Sequence, residues 1–181
     1  MKSLTPLLGI LLLLPLSSFA QSANVPPAPL DNSGFEDRHP EGMFSSIVTA
    51  HGQEMVMGQA RSFQIVPVKP TKTFSADVPE IFVVFSLQQH DSEFKLYGRW
   101  VVERGEGTPP SYVLGTDAMI LMTEDESGYV SLKRPKNGWP LGDYKVEILI
   151  GTGSHDMNQV GTLRFKVLPA KIGRASCRER V

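Results

Sequence analysis

Residues 135–148, PKNGWPLGDYKVEI, place proline, glycine and tryptophan within a few positions and then run straight into an alternating strand. Asn137 and Gly138 form a dipeptide that favours a tight turn, and a second proline and Gly142 interrupt regular structure before Tyr144. The stretch therefore predicts a crossing between two strands, with a turn on one side and Tyr144 at the start of the next strand.

Period-two alternation extends outward from this stretch over most of the chain. In EFKLYGRWVVE, residues 93–103, the side chains of Phe94, Leu96, Trp100 and Val102 share one face, as in a strand buried on one side. YKVEILI and GTLRFKV repeat the pattern, and EIFVVFSL is apolar on both faces, which predicts a central strand. No segment has helical periodicity. The pattern predicts seven strands, named by the letters of the immunoglobulin fold. They are A (Arg61–Lys69), B (Glu80–Leu87), C (Glu93–Glu103), C′ to D (Tyr112–Met122), E (Gly128–Lys133), F (Asp143–Ile150) and G (Asn158–Leu168).

The pattern Gly-x-Tyr-x-Val that begins at Gly142 resembles the tyrosine corner of immunoglobulin-like and fibronectin-like domains, in the disulfide-free form of secreted bacterial domains. The resemblance covers most of residues 61–168 and implies an all-β, immunoglobulin-like Greek-key β-sandwich of about seven strands. It also implies that the Tyr144 hydroxyl bonds a backbone group upstream and that Trp139 and Trp100 pack in the core. Because a fold does not specify an activity, the resemblance implies no antigen-type function.

The first residues of the chain predict export. Residues 1–20 carry a positive charge at Lys2, an apolar run and small residues up to Ala20, which is the pattern of a cleaved signal peptide. An N-terminal membrane anchor is the alternative, but the apolar run is too short to span a bilayer. Residues 21–43 contain four prolines and few large apolar groups, which predicts a flexible leader. We expect a periplasmic or secreted protein that starts at Gln21 and has no membrane span after cleavage.

The folded domain is expected over residues 44–169, followed by a tail at 170–181. Residues 172–181, IGRASCRERV, have no hydrophobic periodicity and are similar to the in-frame translation of a sequencing-library adapter. We therefore expect this decapeptide to be an artefact and exclude it from the fold. A genuine basic tail that binds an acidic partner is the alternative.

Charge and cysteine content exclude several classes of protein. The chain has 18 basic and 19 acidic residues, a net charge of −1. Without Lys2 and residues 172–181, 14 basic and 18 acidic residues remain, a net charge of about −4, so no general affinity for nucleic acid is expected. The only cysteine, Cys177, lies in the tail. The domain therefore cannot use disulfides, thiolate catalysis or cysteine metal ligands.

Basic side chains are nevertheless concentrated at outward positions of strands C, F and G. They lie beside Glu103, Glu147 and one tyrosine, and this predicted partner-binding face consists of Lys95, Tyr97, Arg99, Lys145, Arg164 and Lys166. Such a face would steer an acidic protein or a polyanionic glycan of the cell envelope toward the domain. A solvated face whose charges protect the strands from aggregation explains the same pattern.

Recognisable catalytic motifs are missing from the sequence. It contains no Gly-x-Ser-x-Gly elbow, no His-Glu-x-x-His and no phosphate-binding loop. Ser154, His155 and Asp156 have the letters of a triad, but consecutive residues cannot generally place three side chains in a relay. We therefore predict no catalytic residue and a non-catalytic, extracytoplasmic binding or accessory module. A secreted hydrolase without a recognisable motif is an alternative.

Metal binding is the other alternative. In the predicted topology the B–C and F–G loops meet at one end of the sandwich, which would bring His90 and Asp91 toward His155, Asp156 and Met157. Imidazole with carboxylate or thioether suits copper or zinc, although no other feature predicts a cofactor. Polar residues that simply occupy exposed loops explain the same pattern. A second group of soft ligands consists of His51, Met55 and Met57.

Overall fold

The computed structural model describes residues 38–57, 63–152 and 156–170. The predicted signal peptide, most of the predicted leader, His155 and the tail from Lys171 lie outside these residues. The described residues form nine strands, and no helix among them is long and apolar enough to cross a membrane. The strands are β1 (Phe44–Met57), β2 (Phe63–Pro70), β3 (Thr73–Ser75), β4 (Glu80–Leu87), β5 (Phe94–Gly105), β6 (Tyr112–Leu121), β7 (Ser127–Lys133), β8 (Gly142–Gly151) and β9 (Asn158–Leu168).

The strands form two sheets that pack as a β-sandwich. Sheet A has the order β2-β1-β4-β7, and sheet B has the order β3-β9-β8-β5-β6. Every pairing is antiparallel except that of β3 with β9. The chain crosses from sheet A to sheet B between β4 and β5 and again between β7 and β8, which is the Greek-key connection of immunoglobulin-like domains. The predicted fold class is confirmed: the chain is an all-β, immunoglobulin-like sandwich.

The longest strand, β1, lies in residues for which alternation predicts no strand. Its first half pairs with β4 from Phe44 to Ala50, and its second half pairs with β2 from Ala50 to Met57. The pairing partner of β1 changes at Ala50. Buried and exposed positions do not alternate along the whole of β1. The segment assigned as strand A instead forms β2 at the edge of sheet A, and β1 lies beside β4. The short β3 is a second strand that alternation does not predict.

The core lies between the sheets, where alternation places it. Leu96, Trp100 and Val102 of β5 are fully buried, and the inward residues of β8 and β9 join them except Ile150, which is half-buried. β4 is an interior strand of sheet A, as its apolar sequence predicts. The Trp100 ring lies over Gly98, where an added Cβ would come within 2.8 Å of that ring.

The tyrosine corner is present. The Tyr144 hydroxyl donates a hydrogen bond to the backbone carbonyl of Pro140 at 2.5 Å, and its ring stacks on Phe165 at a centroid distance of 5.0 Å. Trp139 lies beneath the crossing, and its indole N–H donates to the carbonyl of Val78 at 2.8 Å. Burial raises the pKa of Tyr144 well above its ordinary value. The corner therefore ties the crossing to β9 and to the segment that precedes β4.

Gly142 is required where the crossing enters β8. Its φ of +148° lies in a region that favours glycine, and an added Cβ would lie 1.9 Å from the carbonyl oxygen of Arg104. A side chain at residue 142 would therefore require the backbone of β5 to move.

Packing begins before the predicted domain boundary. The carbonyl of Arg38 accepts a hydrogen bond from the Thr162 amide at 2.7 Å, and Pro40 is buried against Gly161 of β9. The carbonyl of Met43 accepts a bond from the Gln88 amide at 2.7 Å. The last residues of the predicted leader, 38–43, thus pack on the sandwich.

Candidate functional site

The outward side of sheet B forms one continuous face built from four strands. Residues paired across neighbouring strands point to the same side, so the register defines rows of side chains. One row contains Ala118, Tyr97 and Leu149, and the next contains Arg99 and Glu147, followed by Thr162 of β9. Further rows pair Lys145 with Arg164 and Asp143 with Lys166. All six residues of the predicted partner-binding face therefore lie on this one surface, called the sheet B face below.

Glu147 is the centre of an ion-pair cluster on the sheet B face. It is only 5% exposed although it points outward, because Arg99 and Lys145 cover it. The Lys145 ammonium lies 2.8 Å from its carboxylate, and the Arg99 Nε donates to it at 2.5 Å. Burial alone would raise the pKa of Glu147, but the hydrogen bonds from Lys145 and Arg99 outweigh burial and hold that pKa below its ordinary value. The carboxylate therefore stays ionised.

Two further ion pairs hold the cations of β9. Arg164 donates two hydrogen bonds from Nε and Nη2 to the Glu103 carboxylate, each of 3.1 Å. Lys166 lies 3.3 Å from the Asp143 carboxylate, which Arg104 contacts at 3.0 Å. These contacts fix the direction of long side chains that would otherwise be mobile.

Sequence reasoning missed two charged members of this face, Asp143 and Arg104. Asp143 lies at the start of β8 and pairs with Arg104 near the end of β5, where a register shift between Val102 and Arg104 breaks the alternation of β5. With them, the face carries six cations and three carboxylates. Lys95 forms no ion pair with a described residue, and its ammonium lies over the Tyr97 ring, 4.8 Å from the centroid.

The loop residues of the metal hypothesis are engaged in local contacts. Both ring nitrogens of His90 face carbonyl oxygens, Nε2 that of Met122 at 2.9 Å and Nδ1 that of Gln88 at 3.3 Å. One Asp156 oxygen accepts hydrogen bonds from the Thr152 amide and hydroxyl, at 3.1 and 2.5 Å. Met122 follows β6 and Thr152 follows β8, which lie on opposite sides of β5. His90 and Asp156 are thus held toward different neighbours.

The other residues of the metal hypothesis form no metal-binding cluster among the described residues. Asp91 and Met157 are exposed, and His155 lies outside the described residues. Within 38–57, 63–152 and 156–170, no group of three or more His, Cys, Asp or Glu side chains could hold a metal ion. The His51 ring packs against Phe74 at a centroid distance of 5.0 Å, while Met55 and Met57 are exposed.

Comparison with known proteins adds likeness of fold only. No protein-family model and no curated protein sequence matches the chain. An immunoglobulin-like protein from Pseudomonas aeruginosa aligns with 70% of this chain and 100% of its own, with 12% identity and a TM-score of 0.34. A mutant β-glucosidase from Listeria innocua aligns with 69% of this chain and 16% of its own, with 9% identity and a TM-score of 0.32. The β-D-glucoside glucohydrolase of Trichoderma reesei aligns with 68% and 18%, with 14% identity and a TM-score of 0.29.

The alignment spans less than a fifth of the length of each of those two enzymes. TM-scores this low carry no argument about ligand or activity. The immunoglobulin-like assignment stands on the strand order and on the tyrosine corner of the chain itself.

Proposed function

We propose that the chain is a non-catalytic binding module that acts outside the cytoplasm and docks a polyanionic partner on the sheet B face. The observation that carries this proposal is the charge of that face, where six cations accompany three carboxylates on a chain whose net charge is −1. A locally positive surface attracts negatively charged partners even when the net charge of the protein is negative.

The arrangement of the cations supports the same interpretation. Arg99, Lys145 and Arg164 are oriented by carboxylates that lie beside or beneath them, so little side-chain entropy remains to be lost on binding. Arg104 and Lys166 have side chains that are 83% and 67% exposed and share Asp143, so together they keep one excess positive charge in solvent. A flat, ordered surface of this kind suits a sulfated or uronic acid glycan of the cell envelope.

The proposed location rests on residues 1–20, whose composition is that of a signal peptide. An envelope glycan or an acidic envelope protein would be accessible in that compartment. The contacts of His90 and Asp156 give no support to copper or zinc binding at the loop end.

Affinity for heparin, measured by titration calorimetry from about 50 to 200 mM salt, tests the proposal. We expect binding that weakens steeply as salt rises, because released counterions contribute most of the free energy. Neutral dextran should not bind. The double variant Arg104→Ala, Lys166→Ala should weaken heparin binding at least about tenfold, and Lys95→Ala should weaken it further.

Lys133 and Lys136 supply the matched control, since both are exposed and neither belongs to the sheet B face. The double variant Lys133→Ala, Lys136→Ala removes the same charge and should change heparin affinity less than about twofold. Equal losses in the two double variants, or no salt-sensitive binding by the wild type, would show that the sheet B face is a solvated surface. Binding of a polyglutamate peptide but not of heparin would replace the glycan with an acidic protein.

A further inference from the structure

A pocket of about 480 Å³ opens at the edge of the sandwich, between β1 and β9. β1 has β2 as a neighbour on this side only from Ala50 onward, and β9 has β3 only from Lys166 onward. A gap therefore remains between the sheets where both strands lack that neighbour. Ile47 and Leu163, which belong to the core, form its floor, since their side chains are only 3% and 5% exposed. We call this the edge pocket.

The edge pocket combines an apolar interior with a cationic rim. Val48 and Pro70 complete the apolar wall, and the remaining lining residues are His39, Thr49, Thr71, Lys72, Thr162 and Arg164. None of the described residues that line the pocket is acidic. The Thr49 hydroxyl is already used, because it donates to the carbonyl of Thr71. The charged side chains of the described lining, Lys72 and Arg164, are therefore both positive.

Lys72 is the cation best placed to meet a ligand. It is exposed and forms no ion pair with a described residue, whereas the Arg164 guanidinium is bound by Glu103 on the sheet B face. The carbonyl of Lys72 accepts a hydrogen bond from the Lys166 amide at 2.9 Å, which fixes the backbone of Lys72 at the mouth of the pocket.

We propose that the edge pocket binds a small organic anion with a compact apolar body, such as a medium-chain or aromatic carboxylate. The apolar body lies against Ile47 and Leu163, and the anionic group lies at the rim against Lys72. Pockets of this size, with apolar walls and a few polar groups at fixed positions, are the usual sites for small molecules in proteins. A carboxylate at the rim keeps contact with water and gains a charge-assisted hydrogen bond. This proposal does not depend on the sheet B face.

The fluorescent sulfonate 8-anilinonaphthalene-1-sulfonate serves as the probe, since it joins an apolar aromatic body to an anion. We expect the folded protein at neutral pH to enhance its fluorescence with saturation at one site. Decanoate should displace the probe, and decanol at the same concentration should displace it at least about fivefold less well. No saturable enhancement, or equal displacement by decanol, would overturn the proposal.

Two variants test the assignment of the site. Lys72→Glu should weaken probe binding at least about tenfold by reversing the rim charge, and Lys72→Met should weaken it less, because it removes that charge without reversing it. Lys136→Glu is the matched control, since Lys136 is exposed and does not line the pocket, and it should bind the probe like the wild type. Near-ultraviolet circular dichroism of each variant verifies the native fold. Native variants that retain wild-type probe affinity would place the probe elsewhere and refute the edge pocket as its site.

Discussion

At the scale of single residues, the crossing into β8 depends on Gly142, Trp139 and Tyr144. Gly142 lets the chain pass against Arg104, and Trp139 and Tyr144 each direct one polar atom to a backbone carbonyl inside an otherwise apolar cluster. A buried carbonyl that loses its donor bears the full cost of leaving water. The polar atoms of these two aromatic residues therefore specify the path of the crossing, while their rings contribute burial.

Tyr144→Phe isolates the contribution of the corner hydrogen bond. The variant keeps the ring that stacks on Phe165 but leaves the Pro140 carbonyl without its donor. We expect the free energy of unfolding to fall by about 1–3 kcal/mol, measured by chemical denaturation. Tyr97→Phe is the matched control on the sheet B face and should change stability by less than about 0.5 kcal/mol. An unchanged midpoint for Tyr144→Phe would contradict a stabilising corner bond.

At the scale of the element, β8 serves both sides of sheet B. Its inward residues Tyr144, Val146 and Ile148 are fully buried in the core, while Asp143, Lys145 and Glu147 form ion pairs on the sheet B face. The period of two in a strand makes this division possible in one short segment. Sequence reasoning placed five of the six cations on this face and missed Arg104, and it could not foresee that carboxylates of β5 and β8 would bind most of them.

Glu147→Gln tests the buried ion-pair cluster through its pH dependence. The pKa of Glu147 is lowered in the folded state from a reference of 4.5, so its stabilisation is complete above that reference and is lost as pH falls through the lower folded pKa. We expect the variant to lose about 1.5–3 kcal/mol of unfolding free energy at pH 7. The difference from the wild type should shrink when denaturation is repeated near pH 3.

Glu103→Gln is the matched control for that experiment. Its carboxylate and the Arg164 partner are 26% and 43% exposed, against 7% for the Glu147 side chain. Because partly exposed ion pairs contribute little, we expect a loss below about 1 kcal/mol. Equal losses in the two variants, or a Glu147→Gln loss that does not change with pH, would contradict a central role for Glu147.

At the scale of the whole molecule, one core supports two surfaces that meet at Thr162 and Arg164. Residues of both sheets belong to a single buried cluster that includes both tryptophans. The sheet B face lies outside this core, and the edge pocket opens where the two sheets separate. With no disulfide available in the domain, packing and the corner hydrogen bonds have to supply the stability that secreted domains often gain from cystine.

The expected location of the whole chain is tested by its processing. Residues 1–20 predict cleavage after Ala20, because small residues follow a short apolar run. We expect mass spectrometry of protein from a periplasmic or culture fraction to find Gln21 as the first residue. An intact Met1 in the folded protein would contradict export by this signal. A variant with Leu12→Arg in the apolar run should remain in the cytoplasm and retain Met1.

The sequence by itself determined the sandwich, the corner and the inward residues, because each follows from a local rule. Alternation over a few residues predicts which side of a strand is buried, and Gly142 with Tyr144 marks the crossing. Only the tertiary structure decided the divided pairing of β1, the partners of Arg164 and Lys166, and the edge pocket. These depend on which distant strands become neighbours and in which register, as when Glu103 meets Arg164 across 61 residues. A local pattern records which face a side chain occupies, but it does not record the residue that will lie opposite.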